Sequence, residues 1–427
     1  MQGIRVSDNK RCFCTQDGMP FFLLGDTAWE MLYTLSKQEI EEYLHIRAEQ
    51  GFNAILVTAI WETEQSIEGY TPFERREDGR MDPTKPVCGE KSFWNKLDYT
   101  VQKAYENNIY VGIVISWGDR INKMPYGKCN EIFERENSYL YARWIGERYK
   151  DNPNIFWVLG GDRPLITERH FACIHAMADG LREADDNCHM VTFHPPGKSS
   201  SSYHFPDEPF LDFHMLQSSH SVWDMPNYNM IREDLELPSL KPVIDGEPCY
   251  EDHPFFFEAK NGYFDEVNVR KAAYWSVFSG AAGHIYGHNC VWHMVTAPDE
   301  YYLMTWREAL KRPGCLQMRY IKELVESLPN PNERISFDQS LAVNFEGSNH
   351  QVALKSGDVL LVYSPNGLNI TLNLKNLGWN KVSARFFNPR TGQYAQPEIS
   401  QVTSQMVFYT PAKGRSEDIV LRVEKVE

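Results

Sequence analysis

Eight short apolar runs alternate with longer amphipathic stretches between Phe21 and about Leu328, and this alternation limits the folds that are open to the chain. Repeated strand–helix units form a parallel sheet, because each helix carries the chain back to begin the next strand beside the last. The runs predicted as strands are Phe21–Gly25, Ala54–Ala59, Tyr110–Ser116, Ile155–Leu159, Met190–Phe193, Leu211–Leu216, Pro242–Ile244 and Gly283–Tyr286.

The stretches between these runs have the residue spacing of helices. In the first, Ile40, Tyr43, Leu44 and Ile46 form one apolar stripe, and Gly51 follows as a stop signal. Eight such units in roughly 300 residues predict a closed (β/α)8 barrel, a TIM barrel of the α/β class. An open doubly wound sheet is the alternative, although no GxGxxG phosphate loop follows any strand. The predicted helices are Lys37–Gln50, Phe93–Asn107, Glu131–Lys150, Thr167–Ala184, Val267–Phe278 and Thr305–Leu328.

The pattern changes after the segment Pro329-Asn330-Pro331. Short segments of alternating polar and apolar residues, separated by Gly, Asn and Pro, predict a small C-terminal all-β sandwich domain. The predicted organisation is therefore a barrel over residues 1–330 and a β-sandwich accessory domain over residues 331–427. The segments are Gln351–Leu354, Val359–Tyr363, Asn369–Leu374, Ser383–Asn388, Met406–Tyr409 and Asp418–Val423.

The charge and composition of the chain disfavour several classes of binding partner. The formal net charge of -15 disfavours nucleic acid and anionic lipid surfaces. No apolar run approaches the length of about 20 residues that a membrane span needs, and Met1–Arg11 lacks the apolar centre of a signal peptide. We expect a cytoplasmic protein if the chain is complete, and a periplasmic or secreted one if an N-terminal signal was removed. The oligomeric state is left open.

The active site of a (β/α)8 barrel lies at the C-terminal ends of its strands, so the residues that directly follow each apolar run are the candidates. Most of these residues are acidic, aromatic or histidine. In chain order they are Asp26 and Trp29, Trp61, Trp117 and Asp119, Asp162 and Arg163, His194, Gln217 and His220, Asp245 and Glu247, and His288 and Asn289.

Two of these strand ends carry the acids that hydrolysis of a glycosidic bond requires. One carboxylic acid must protonate the leaving oxygen, and one carboxylate must lie on the other side of the anomeric carbon. Asp162 follows the fourth strand and Glu247 the seventh, and these strands face each other across a barrel. A gap of about 5 Å between the carboxyl groups would predict a retaining enzyme. Each acid alone could instead cap a helix or pair with a neighbour such as Arg163.

Histidine and tryptophan at the other strand ends admit structural roles as well. His194, His220 and His288 are considered as metal ligands, but they follow different strands and form no HExxH motif. Hydrogen bonds to sugar hydroxyls are therefore the favoured role, and no metal or cofactor is expected. Trp61 and Trp117 are either platforms for a sugar ring or caps of the barrel core.

Four segments resemble the apiosidase-like proteins of glycoside hydrolase family 140, in order and in spacing. The resemblance extends from about Arg5 to Leu328, and the C-terminal segment is similar to the small β domain, named for collagen binding, that accompanies this barrel. It implies a retaining barrel in which Asp162 is the general acid/base and Glu247 the nucleophile. Gly161-Asp162 stands where most of the wider clan has Asn-Glu, in agreement with the apiosidase-like branch. The segments are Phe21–Trp29, Gly51–Asn53, Asn154–Asp162 and Lys241–Glu251.

The resemblance also implies an activity, the removal of apiose from rhamnogalacturonan II, a pectic glycan, at its link to galacturonic acid. The predicted function is therefore hydrolysis of a terminal sugar by double displacement. An endo-acting glucanase or mannanase is the alternative within the class. The alternative from another class is a non-catalytic carbohydrate-binding or adhesion protein, in which the two acids would be far apart or buried in salt bridges. The predicted substrate-binding residues are Asp26, Trp29, Trp61, Trp117, Arg163, His194, Gln217, His220, Asp245 and His288.

Overall fold

Eight parallel strands form the wall of a barrel in the computed structural model, which describes residues 1–426. The strands are β1 Leu23–Thr27, β2 Ala54–Thr58, β3 Tyr110–Val114, β4 Ile155–Gly160, β5 Val191–His194, β6 His214–Gln217, β7 Val243–Asp245 and β8 Gly283–Tyr286. Hydrogen bonds join them in the order β5-β4-β3-β2-β1-β8-β7-β6. The ring closes where β5 meets β6, because Asp212 N donates to Val191 O at 2.9 Å and Thr192 Oγ1 donates to Phe213 O at 2.8 Å.

Helices surround this ring, and the predicted (β/α)8 barrel is confirmed. Local signals set their ends; for example, Ser36 N donates to Glu39 Oε2 at 2.9 Å in a capping box that begins α2. The single helix predicted over Thr305–Leu328 is two helices, because Pro313 begins a new one. The bounds are α1 Met31–Thr34, α2 Lys37–Glu49, α3 Phe93–Glu106, α4 Arg135–Tyr149, α5 Glu168–Ala184, α6 Ser201–His204, α7 Asn227–Leu235, α8 Glu266–Phe278, α9 Asn289–Trp292, α10 Trp306–Ala309 and α11 Pro313–Glu326.

Short strands elaborate the barrel at both ends. A three-stranded antiparallel sheet, Ile4–Val6, Phe13–Thr15 and Pro20–Phe21, precedes β1, and its Phe13 ring packs edge-on against Phe213 at 5.1 Å. A hairpin of Phe73–Arg75 and Met81–Pro86 is inserted between β2 and α3. Ser199–Ser200 pairs antiparallel with β6. Every helix within residues 1–426 is too short or too polar to traverse a lipid bilayer.

The C-terminal region forms an all-β domain, as predicted. A larger and a smaller antiparallel sheet enclose a core that includes Leu360, Val362, Ile370, Trp379 and Leu421. The larger sheet contains Ile335–Ser336, Val352–Ser356, Val359–Ser364, Lys381–Asn388, Gln393–Tyr394, Glu398–Gln401 and Ile419–Lys425, and the smaller one contains Leu341–Val343, Ile370–Leu372 and Met406–Phe408.

A buried interface joins this domain to helix α8 of the barrel. The ring of Tyr274 stacks on Tyr363 at 4.7 Å, and Arg270 forms a fully buried bidentate pair with Asp418, at 2.8 and 2.6 Å. A buried ion pair of this geometry fixes orientation, because moving either partner alone would leave a charge without compensation in an apolar setting. The β domain therefore braces the outer side of the barrel.

Candidate active site

A pocket of about 760 Å³ opens among the loops that follow the barrel strands. Residues that follow each of the eight strands contribute to its wall, from Trp29 after β1 to Trp292 after β8. This is the end of a (β/α)8 barrel at which active sites lie. The wall has four carboxyl groups, from Glu30, Glu62, Asp162 and Glu247; three cationic side chains, Lys128, Arg163 and Lys198; and many aromatic rings, among them Trp29, Trp61, Trp117, Tyr126, Tyr250, Phe257, Trp292, Tyr301 and Tyr302.

Glu247 lies at the bottom of this pocket, and two histidines hold its carboxyl group. His220 Nε2 donates to Glu247 Oε1 at 3.0 Å. His194 Nε2 lies 3.0 Å from Oε2, close enough for electrostatic attraction although it lacks the alignment of a hydrogen bond. Burial acts to raise the pKa of Glu247, but the two imidazoles outweigh it and hold the pKa well below its usual range. Glu247 is therefore an ionised carboxylate near neutral pH.

The chain turns sharply at the end of β4 to bring Asp162 to the pocket. Three consecutive residues have positive φ: Gly160 at 80°, Gly161 at 131° and Asp162 at 54°. A Cβ atom on Gly160 would lie 2.5 Å from the ring of Phe193, and one on Gly161 would lie 2.9 Å from the nitrogen of Gly118. Both positions therefore need glycine, and Asp is among the few larger residues that tolerate the left-handed conformation that follows.

Asp162 faces opposing influences on its charge. Burial and the negative charge of Glu247 raise its pKa, whereas Arg163 and His194 lower it, and the net shift is upward. Arg163 Nη1 donates to Asp162 Oδ2 at 2.6 Å, and 31% of the Asp162 side chain stays open to the pocket. One raised and one lowered carboxyl pKa in the same pocket is the arrangement that separates an acid from a nucleophile.

Arg163 also contacts two carboxyl groups other than that of Asp162. Its Nε lies 2.6 Å from Asp119 Oδ2, and its Nη2 donates to Glu62 Oε1 at 3.3 Å. The guanidinium therefore shares its charge among three carboxyl groups. Burial raises the pKa of Glu62, and a hydrogen bond to Asp119 and the charge of Asp119 raise it further. Glu62 is therefore an acid of the pocket wall whose pKa lies above its usual value.

Most of the predicted site residues do meet in the pocket. The Trp61 and Trp117 rings contact each other, with centroids 4.3 Å apart. His194 differs from these residues, because it does not line the pocket and is fully buried beneath it. Its Nδ1 accepts from the backbone N–H of Asp162 at 3.3 Å, which leaves the ring proton on Nε2, facing Glu247. The predicted residues that line the pocket are Trp29, Trp61, Trp117, Asp162, Arg163, Gln217, His220 and Glu247.

Three residues predicted to bind the sugar lie elsewhere, and these predictions are corrected. Asp26 is fully buried between β1 and α2, where Arg47 Nε donates to it at 2.6 Å. Asp245 accepts from Ser218 Oγ at 2.7 Å, and burial raises its pKa to about 6. His288 caps α9. The first two side chains belong to β strands, in which alternate residues point outward to the helices, and the third satisfies a helix N-terminus.

His288 is held in that place by its two ring nitrogens. Nδ1 accepts from Cys290 N at 3.0 Å, and Nε2 lies 3.1 Å from Asp252 Oδ2. Residues 1–426 contain no group of three or more His, Cys, Asp or Glu side chains arranged to hold a metal ion.

Several residues of the pocket wall were not predicted. Glu30, Glu62 and Tyr250 each follow a strand end or a predicted site residue within a few positions, so the same strand-end criterion with a longer reach would have found them. The others lie on long connecting segments, where no spacing rule relates a residue to the barrel mouth. These include Tyr126, Lys128, His253, Phe257, Tyr301 and Tyr302.

A (β/α)8 barrel with acids after β4 and β7 in one pocket defines a class, the glycoside hydrolases. Residues 7–332, most of the chain, match the family model described as the apiosidase-like catalytic domain. The chain belongs to the apiosidase-like family. Residues 337–424 match a domain family named for collagen binding in a collagenase, and that name describes the family rather than this chain.

Solved structures agree with this class. One glycoside hydrolase is 28% identical with a TM-score of 0.90, over 99% of this chain and 97% of its own. A structure described as a family 5 glycoside hydrolase from Bacteroides vulgatus is 29% identical with a TM-score of 0.89, over 99% of this chain and 93% of its own. No curated protein matches the chain.

Proposed function

We propose that this protein is a retaining glycoside hydrolase of family 140, with Glu247 as nucleophile and Asp162 as general acid/base. We also propose that residues 1–330 form the catalytic unit and residues 331–427 the accessory domain. One observation carries the catalytic assignment: the two acids line one pocket, and their surroundings shift their pKa values in opposite directions.

The reaction proceeds in two displacements. Glu247 attacks the anomeric carbon, the bond from that carbon to the leaving oxygen breaks, and Asp162 gives its proton to that oxygen. Asp162 then removes a proton from water, which attacks the anomeric carbon and breaks the ester to Glu247. Both groups return to their starting states, and the sugar keeps its anomeric configuration.

Several contacts support these roles. The raised pKa of Asp162 favours the protonated form needed at the start, and it is coupled to the charge of Glu247. When Glu247 becomes an ester it loses that charge, so the pKa of Asp162 falls and the group is ready to act as a base. His220 and His194, which touch Glu247, stabilise its carboxylate as the leaving group of the second displacement.

The proposed substrate is a terminal apiose of a pectic glycan such as rhamnogalacturonan II. Family membership supports the sugar, and the pocket supports exo action, because walls that follow all eight strands surround a chain end better than they admit the middle of a polymer. The aromatic rings of the wall offer apolar faces to sugar C–H groups.

A second candidate, a non-catalytic carbohydrate-binding protein, is favoured by one contact, the 2.6 Å pair of Asp162 with Arg163. Product analysis separates the two. The protein is incubated with plant polysaccharides, including rhamnogalacturonan II, and released sugars are identified by chromatography and by NMR of the first-formed anomer. Apiose of retained configuration is the expected product. Release of another sugar would contradict the proposed substrate, and an inverted anomer would contradict the retaining mechanism. Release of no sugar from any glycan would contradict the proposal that the protein is an enzyme.

A further inference from the structure

Four aromatic residues lie near one another at one edge of the pocket, and we name them the rim strip: Trp223, Phe255, Phe256 and Phe257. Trp223 stacks on Phe255 with centroids 4.6 Å apart and an angle of 21°, and Phe255 lies 6.3 Å from Phe256, which precedes Phe257 in the chain. Three of these residues are largely exposed to solvent, Trp223 at 41%, Phe256 at 57% and Phe257 at 53%. Exposed apolar groups joined in this way mark binding sites more often than single exposed residues do.

The backbone of the rim strip is strained where its rings are most exposed. Phe256 and Phe257 have φ angles of 54° and 62°, two consecutive bulky residues in the left-handed region. Such conformations are unfavourable for residues with a Cβ atom, and they persist where the surrounding structure enforces them, commonly at binding sites. Burial does not explain the strain, because both residues are more than half exposed.

The surrounding loop enforces this conformation with hydrogen bonds. Phe255 N donates to Gly262 O at 2.8 Å, Phe256 N to His220 O at 3.2 Å, and Phe257 N to Pro254 O at 3.0 Å. His220 is also the residue that holds Glu247, so the strip is connected to the centre of the pocket. The backbone that carries the two rings is thereby held in this conformation by hydrogen bonds.

The rim strip continues the pocket wall outward. Phe257 lines the pocket and packs edge-on against His253 at 5.0 Å, whereas Phe256 and Trp223 lie beyond the lining. The charged residues of the same loop, Glu258 and Lys260, pair with each other. The surface beside the pocket is therefore apolar and locally neutral, which suits the C–H faces of sugar rings.

We propose that the rim strip is a platform for the glycan chain to which the sugar in the pocket is attached. The proposal rests on the proposed function in that the pocket holds a terminal sugar; the next units of the chain then pass over Phe257, Phe256 and Trp223. The hydrogen-bonded backbone positions Phe256 and Phe257 before the glycan arrives, so little backbone freedom is lost on binding.

Binding rather than turnover tests this platform. Affinity gel electrophoresis in gels that contain pectin, xylan, galactomannan or mixed-linkage glucan compares the wild type, the double variant Phe256→Ala/Phe257→Ala and the control Tyr105→Ala. Tyr105 is also exposed, at 43%, but its hydroxyl contacts the N-terminus at the opposite end of the barrel. We expect at least one glycan to retard the wild type and the control, and the double variant to bind it about tenfold more weakly.

Failure of the platform is separable from failure of the catalytic assignment, because retardation needs no turnover. Retardation by none of the glycans, or equal retardation of the double variant, would overturn the platform. So would a doubled mass in light scattering that the double variant abolishes, since the strip would then join two copies of this chain. Loss of turnover in a variant that still binds the glycan would bear on the catalytic assignment and not on the platform.

The variant Phe256→Gly separates a binding role from a structural one. Glycine adopts the left-handed backbone without strain, so we expect the midpoint of thermal unfolding to stay or to rise while glycan binding weakens. A lower unfolding midpoint, accompanied by unchanged binding, would make Phe256 a packing residue and would overturn its place in the platform.

Discussion

The ends of strands β4 and β7 both deliver an acid to the pocket, but they do so in different ways. At β7 the backbone is ordinary and the side chains are specialised, because His220 and His194 hold Glu247 in its charged form. At β4 the backbone itself is unusual, with positive φ from Gly160 to Asp162, and the carboxyl group is left partly open. A nucleophile needs a stable charge and a fixed position, whereas an acid/base must exchange protons with the pocket.

The difference teaches that environment, more than residue type, separates the two proposed roles. Both side chains are simple carboxylic acids with similar ordinary pKa values. The pKa of Glu247 is lowered by its histidines, and the pKa of Asp162 is raised by burial and by the charge of Glu247. The variants Glu247→Ala, Asp162→Asn and His220→Ala each remove one element of this contrast.

Replacing Glu247 with Ala removes the group proposed to form the covalent intermediate. We expect kcat on an aryl apioside to fall at least about 10⁴-fold, with the circular dichroism spectrum unchanged. Sodium azide should fit the space and restore turnover, giving a glycosyl azide of inverted configuration. Glu30→Ala is the control, because Glu30 also lines the pocket but pairs with His293 at 2.9 Å. Retained wild-type turnover in Glu247→Ala would remove the nucleophile assignment.

Replacing Asp162 with Asn removes the proton donor but keeps the shape. We expect kcat/KM to fall about 10²- to 10⁴-fold on a natural glycan and much less on a substrate with a good leaving group, which needs no protonation. For the wild type we expect activity to rise as Glu247 ionises and to fall as Asp162 loses its proton. The amide of the Asp162→Asn variant cannot titrate, so the fall at high pH should disappear from its profile of kcat/KM. An unchanged high-pH limb would assign that limb to another group, and Glu62 would be the next to test.

Replacing His220 with Ala removes a hydrogen bond that lowers the pKa of Glu247. The pKa of Glu247 should rise, so the low-pH limb of kcat/KM should move to higher pH. A hydrogen bond to a charged group contributes about 1.5–3 kcal/mol, so we expect a loss of about 10- to 100-fold. His288→Ala is the matched control, because His288 also faces a carboxylate but lies outside the pocket. An unmoved limb in His220→Ala would contradict this account of Glu247.

The sequence predicted the barrel well because strand and helix periodicity is local. Six of the eight predicted strands begin within one residue of the observed ones, whereas Phe21–Gly25 begins two residues before β1 and Leu211–Leu216 begins three residues before β6. That shift has a physical reason: Asp212 N already bonds to Val191 O across the seam, before the ladder with β7 begins at His214. The helix Asn227–Leu235 was not predicted, because its apolar stripe is short and it has no side-chain cap.

The candidate site was predicted in part, because a strand-end position does not reveal which way its side chain points. Asp162 and Glu247 follow the last strand residue, where the chain has left the ladder and can turn into the pocket. Asp26 and Asp245 are still within their strands, and alternation directs both toward the helices. Whether an acid lies within its strand or just beyond it therefore decides whether its side chain faces the helices or the pocket. Contacts from distant loops, such as those of Phe257, are set by tertiary structure alone.

Replacing Asp26 with Asn tests this distinction and should have the smallest effect on turnover. Asp26 and Arg47 are both fully buried, with 2.6 Å between Arg47 Nε and Asp26 Oδ2. Removing the negative charge leaves Arg47 without compensation, so we expect the free energy of unfolding to fall by about 3–5 kcal/mol while kcat per folded molecule is unchanged. Chemical denaturation and kinetics at low temperature measure the two quantities separately.

The double variant Asp26→Asn/Arg47→Met provides the internal control for that prediction. If the loss of stability comes from a charge left alone in the core, removing the second charge should recover part of it. Turnover should again match the wild type, because neither side chain reaches the pocket. A hundredfold fall in kcat in a stable Asp26→Asn variant would contradict the outward orientation of Asp26. Asp26 would then be a residue of the site, and its variant would no longer contrast with Asp162→Asn, which leaves the core intact.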